Sequence, residues 1–184
     1  MLSKTINSVI RLRQVAAGTE AAEIAEAALV LPIVFMLLFG IIWFGRAFNI
    51  YTTITYAARE GAQVAAQPTC ATCGNTASSA TNVANRVLQV LQASHIDTSS
   101  ASLQQYTPAP APVAGSCGTL GTSSSSGVTV YTNVLLNPPV TANKPQACGV
   151  LVTFQYKFQF YFPFTSLNNQ AIYLKAEAPM QVEN

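Results

Sequence analysis

Apolar and polar positions are spread very unevenly along the chain. From Ala27 to Phe44, "AALVLPIVFMLLFGIIWF", no residue is charged. A bilayer core asks for about 20 apolar residues in a helix. The core of a signal peptide is shorter, roughly 7–15 residues, and its small-residue cleavage site follows it. Here the small residues precede the apolar run, so the pattern predicts one membrane-spanning helix. A buried core helix is the competing reading, and the length of the run and the basic segment before it both oppose that. Gly45 and Arg46 close the run, and an arginine can snorkel from just inside the boundary. Lys4, Arg11 and Arg13 precede the run, with no acid among residues 1–17. That asymmetry favours a cytoplasmic N-terminus and an extracytoplasmic remainder.

The helical pattern continues past the apolar run. "RAFNIYTTITYAAREGAQVAAQ" (46–67) holds no proline, and Phe48, Tyr51, Ile54 or Thr55, Ala58, Ala62 and Ala65 fall about one turn apart. That spacing predicts an apolar stripe, and Pro68 ends it. A near-continuous helix is expected from Glu20 to Gln67, bent at Pro32 and locally weakened at Gly40, Gly45 and Gly61. Gly40 and Gly45 would also let a second helix approach closely.

Beyond it, Val83, Val87, Val90 and Leu91 recur at helical spacing within residues 77–94 and predict a second helix. "TPAPAPVAGSCGTLGTSSSSG" (107–127) reads as an exposed, flexible connection. "VTVYTNVLL" (128–136) alternates and is rich in β-branched residues, a strand signal. In "FQYKFQFYFPF" (154–164) every even position is aromatic, which puts Phe154, Tyr156, Phe158, Phe160, Phe162 and Phe164 on one strand face, packed on the long helix. Residues 170–184 read as a last strand, with Ile172, Leu174 and Ala176 alternating. The expected fold class is therefore α+β. A long N-terminal transmembrane or filament helix, a second shorter helix and a small antiparallel sheet form it, with the sheet packed on the long helix. The expected segments are a basic leader (1–18), the long helix (19–67) and an extracytoplasmic head (68–184).

Composition narrows the function. Only 9% of the 184 residues are charged, and the net charge of +2 comes mostly from the N-terminal segment. No Lys/Arg cluster of the kind nucleic acid requires is present. The single histidine, His95, falls at the end of the second helix, where a lone imidazole is usually a surface residue. No HExxH, GxSxG, P-loop or dinucleotide fingerprint occurs, so no enzyme, cofactor or metal is expected. Cys70 and Cys73 have the spacing of a redox pair or half a zinc site, yet a redox motif belongs beside a βαβ pattern, which is absent. An extracytoplasmic head favours disulfides. Cys70, Cys73, Cys117 and Cys148 are expected to form two bridges, with all three pairings open.

Three acids, Glu20, Glu23 and Glu26, stand just ahead of the apolar run. In a first helical turn each would gain roughly 0.3–1 kcal/mol from the helix dipole. Together with a basic leader, a small residue before the acids and a helix running past the membrane, they resemble a type IV pilin precursor. "EAALVLP" (26–32), "WFGRAF" (43–48) and "AAREGA" (57–62) are similar to phrases of the TadE-like family of tight adherence (Tad) pilus proteins, specifically over about residues 18–66. That resemblance implies a prepilin peptidase cutting after a small residue and a glutamate at position five of the mature chain that pairs with a neighbour's new amine. It also implies an inner-membrane assembly platform and partner pilin subunits, of the same or another kind. Cleavage between Gly18 and Thr19 would make Glu23 that glutamate. Cleavage between Ala21 and Ala22 would make it Glu26. A buried carboxylate is costly unless paired, which gives such a pair its physical sense. The alternatives are a membrane-anchored envelope protein that binds a partner through its head without polymerising, and a thiol oxidoreductase using Cys70 and Cys73.

Overall fold

The structure is a computed structural model. It describes the backbone of residues 2–67, 78–137, 147–160 and 171–182, with side chains from Ala22 onward. Its elements are α1 (Leu2–Ala66), α2 (Ala80–Ala93), β1 (Leu103–Gln104), β2 (Gly121–Ser125), β3 (Val128–Leu135), β4 (Cys148–Gln159) and β5 (Ala171–Gln181). The chain divides into two compact units, Met1–Gly45 and Arg46–Asn184.

In the first unit, α1 carries no core among its described residues. Its apolar side chains are exposed on every side, from Ile24 through Leu29, Met36 and Leu37 to Phe44. A helix that hides one face in water-soluble protein shows an apolar stripe, whereas one apolar all round must be buried in lipid or among other helices. The helix continues through Pro32. A Cβ added at Gly40 or Gly45 would meet nothing within 4 Å.

In the second unit, the α1 residues from Arg46 onward have a buried side made mostly of small residues. Ile50, Ile54, Ala57, Ala58, Ala62 and Ala65 are buried. A Cβ at Gly61 would lie 2.6 Å from Val87 Cγ2, 3.4 Å from Val83 Cγ1 and 3.6 Å from Val152 Cγ1. The helix therefore touches both α2 and β4 at this glycine. The expected stripe is corrected at its start. Phe48 and Tyr51 are exposed, and Ile50, Ala57 and Gly61 take the inward side. Side-chain size decides this: alanine and glycine allow close approach of helix to sheet, where Phe48 and Tyr51 would hold the elements apart.

Helix α2 starts at Ser79, whose hydroxyl accepts the Asn82 N–H at 3.3 Å, a standard N-cap. It buries Val83, Ala84, Val87 and Leu91, while Val90 is half-buried. It ends in a Schellman motif: Ile96 N–H donates to Leu91 O and His95 N–H to Gln92 O, with His95 at φ 55° where glycine is usual.

The sheet is antiparallel and centred on β4. One side of β4 pairs with β5 from Gly149↔Gln181 to Gln159↔Ala171. The other is shared between β3, opposite Cys148–Thr153, and the short β1, opposite Gln155 and Tyr156. β2 and β3 form a hairpin through Ser126 (φ 48°) and Gly127 (φ 82°), two left-handed residues as a type I′ turn demands. Gly127 has a second reason to be glycine: a Cβ there would sit 2.7 Å from Leu103 O. The Gly/Ser-rich run expected to be a loose connection is thus corrected in part, since Gly121–Ser125 is an edge strand.

The aromatic face forms as expected over the described residues. Phe154, Tyr156 and Phe158 are buried and Phe160 is half-buried. Phe162 and Phe164 lie outside the described residues. On β5, Ala176 and Ala178 are buried, while Leu174 is half-buried and Ile172 is exposed. Buried Thr153 donates its hydroxyl to Tyr106 O at 2.8 Å. Cys117 and Cys148 form a disulfide with a Cα–Cα distance of 5.5 Å and a sequence separation of 31. In the chain-entropy account a loop of that size stabilises by about 3–4 kcal/mol. Cys70 and Cys73 lie outside the described residues.

Gly61→Ala sets two effects against each other. Helix propensity favours alanine by about 1 kcal/mol. The new methyl meets Val87, a β-branched side chain stiff at χ1, with Val83 and Val152 behind it. Overpacking of this kind costs about 1–3 kcal/mol, so the variant should unfold at lower urea concentration than the parent.

Candidate functional site

The expected assembly residues lie on α1. Glu23 and Glu26 stand three residues apart on the helix, and both are exposed. Among the described residues neither has an ionic partner. The backbone at Gly18, Thr19 and Ala21 is helical, and their side chains lie outside the described set. Ala22 is exposed, as is Pro32. Among the described residues, then, no cation reaches either glutamate and no second helix reaches Gly40 or Gly45.

A cluster that sequence reading missed lies farther along α1, beyond the uncharged run. Arg86 of α2 donates to one oxygen of Glu60 through Nη2 at 2.6 Å and Nε at 3.2 Å. The Tyr56 phenol, one turn before, lies beside the same carboxylate. The Arg86 hydrogen bond, and after it the Tyr56 phenol, holds the Glu60 carboxyl below its ordinary value, while Glu60 pushes the Tyr56 phenol up. The cluster links α1 to α2 at the rim of the alanine- and glycine-lined contact. Its signal in the sequence is the glutamate of "AAREGA" itself, but the partner is 26 residues away and no local spacing points to it.

Asp97 is a second anchored carboxylate. It accepts from Ser102 Oγ at 2.6 Å, Ser99 Oγ at 2.8 Å and Ser99 N–H at 3.0 Å. Those bonds, Ser102 first, hold its carboxyl low. Burial pushes the Tyr156 phenol up, Asp97 adds to that, and Arg46 lies close enough to oppose both. Lys175 Nζ sits 4.6 Å from the centre of the Tyr106 ring, a cation–π contact.

No group of three metal-ligating side chains occurs among the described residues. A groove of about 310 Å³ runs between Pro108, Pro110 and Pro112 on one side and Val134, Leu136 and Leu151 on the other, with Glu177 as its charged residue. That carboxylate has no second catalytic group beside it in the groove lining. The chemical resource of the molecule is its bare helix, which is long and apolar enough to cross a membrane.

Residues 21–63 match the model of the TadE-like protein family. The TadE-like segment takes in Glu23, Glu26, Pro32, Gly40 and Gly45, and also Glu60 and Gly61 of the head contact. It stops short of α2 and the sheet. The match covers less than half of the chain and likens this segment to TadE-like proteins. No curated protein and no solved structure matches the chain significantly.

The Glu60–Arg86 pair gives a pH dependence with a definite sign. A carboxyl held low in the folded state contributes stability that is fully present above its unfolded value, near 4.5. That contribution is lost as pH falls through the lower folded value. Thermal unfolding measured from pH 6 downward should show the midpoint falling below about pH 4.5. Arg86→Gln should flatten that fall, leaving the parts due to Tyr56 and Asp97.

Proposed function

We propose that this chain is a pilin-like structural subunit of a Tad-type pilus. It is held in the inner membrane by α1, with the N-terminus cytoplasmic and the head in the periplasm. After processing, it joins a filament through packing of its helix against those of neighbouring subunits. The observation that carries this reading is the bare apolar stretch of α1 within the TadE-like segment. Lipid covers such a helix before assembly, and neighbouring helices can cover it afterwards. Gly40 and Gly45, open to approach, fit a close helix–helix contact.

In the same reading a prepilin peptidase cuts between Gly18 and Thr19. Glu23, then at position five, meets the new amine of an adjacent subunit. An exposed carboxylate with no ionic partner among the described residues suits that role, because it is paired only when two subunits are in register. Cleavage between Ala21 and Ala22 would hand the role to Glu26. The inner-membrane assembly platform would receive the processed subunit. Shaft and priming positions both suit the bare helix.

Gly18→Leu should leave an uncut, membrane-held precursor. Glu23→Ala should be cut normally and yet be depleted from sheared filaments. Glu26→Ala should be milder, losing about 0.3–1 kcal/mol of helix-dipole stabilisation. Mass spectrometry of the filament-borne N-terminus checks the register. A chain starting at Ala22, with Glu26→Ala the severe variant, would move the role to Glu26. Filaments that lack this chain altogether would reject the subunit reading.

A further inference from the structure

The exposed apolar side chains of the head are not scattered. Among its described residues, six large ones are exposed: Phe48, Tyr51, Tyr56, Val113, Ile172 and Tyr173. Chain continuity and strand register bring four of them to one end. Phe48 and Tyr51 follow Arg46 on α1, immediately after the uncharged run. β4 passes Gly61 at Val152 and reaches the neighbourhood of Arg46 at Tyr156. It therefore runs back toward the N-terminal end of the head's helix. Phe158 lies two residues farther on, opposite Ile172, and Lys157 lies opposite Tyr173. Each strand residue advances about 3.3 Å and each helix residue about 1.5 Å, so Ile172 and Tyr173 come level with the first turns of the head's helix, near Phe48 and Tyr51.

Phe48 is 68% exposed, Tyr51 46%, Ile172 46% and Tyr173 45%. Period two puts Ile172 and Tyr173 on opposite faces of β5, so both faces of the sheet end in an uncovered apolar side chain. Buried Phe158, in edge-on contact with Phe160 at 4.9 Å, fills the end of the core beside them. Single exposed apolar residues are ordinary. Their gathering at the one end covalently tied to a membrane-length helix is not. Aromatic side chains of amphipathic character settle at the boundary between headgroups and acyl chains.

We propose that this end of the head, rimmed by Phe48, Tyr51, Ile172 and Tyr173, docks into the headgroup–acyl boundary of the bilayer while the subunit is membrane-held. The surface rests on the membrane-spanning reading of α1 and extends it. The head lies down on the membrane through its own side chains and does not hang from the helix alone. Extraction into a filament would then uncover four apolar side chains, and the departing subunit would exchange lipid contact for contact with its neighbours.

Tryptophan fluorescence of the full chain in phosphatidylcholine vesicles tests this, using lipid brominated near the ester end of its acyl chains as quencher. Trp43→Phe supplies a background without tryptophan. Tyr173→Trp in that background places an indole at the rim. Val113→Trp in the same background places one at the far end of the sheet, since Val113 O accepts from Leu135 N–H and Leu135 lies opposite Cys148. The rim indole should lose about half its emission, as expected at interfacial depth, and the far indole should be unaffected. Equal, weak quenching at both positions overturns the docking. A blue-shifted rim indole that bromolipid does not quench also overturns it, because protein then covers the rim. The unsubstituted chain separates the two levels of failure. If Trp43 is quenched and the rim indole is not quenched at all, the span stands and the docking falls. If Trp43 is not quenched, the spanning reading falls and the docking with it.

Discussion

An apolar helix without a polar face has no stable resting place in water. Its backbone hydrogen bonds are satisfied internally, so a bilayer accepts it at little cost. Its side chains remain uncovered until lipid or another helix meets them. From Ile24 to Phe44 the described part of the chain supplies little cover of its own. That one constraint organises the rest. It makes the helix one that could cross a membrane, and makes Arg46 the residue at which a different kind of packing begins.

Past Arg46 the same helix becomes a core element by a change of side-chain size rather than of hydropathy. Ala57, Ala58, Gly61, Ala62 and Ala65 form a low surface against which α2 and β4 close directly, with Ile54 as the bulkiest fully buried member. Small residues contribute little apolar area each, so a tight fit and the Glu60–Arg86 bond at the rim have to hold the contact. The TadE-like segment ends within this region, so it takes in the helix side of the contact but neither α2 nor the sheet.

Much of this is legible in the chain itself, for identifiable reasons. The uncharged run, the period-two aromatics and the alternation of residues 128–136 are signals set by a single periodicity, and each becomes the expected element. Hydropathy misplaces the start of the inward face of α1, because Phe48 and Tyr51 share the helical spacing of Ala58 and Ala62, and hydropathy alone ranks a large ring above an alanine. β2 is hidden because an edge strand needs only backbone pairing, and Ser and Gly read as linker in isolation. The Ser126–Gly127 turn is its local mark. β1 is two residues long and exists only through its partners on β4. At the candidate site, Glu23, Glu26, Gly40 and Gly45 are proposed from their position before and within the run. The Glu60–Arg86 pair is not, since tertiary contact alone brings those residues together.

The Cys117–Cys148 bridge has a consequence outside folding. It closes a covalent ring around the β2–β3 hairpin and the segment that follows β3. The stretch 118–120, ahead of β2, offers the non-helical backbone that proteases attack. A single cut anywhere inside the ring opens the ring without dividing the molecule, and β4 and β5 stay attached to α1. The head can be nicked within the ring and still remain one covalent piece joined to α1.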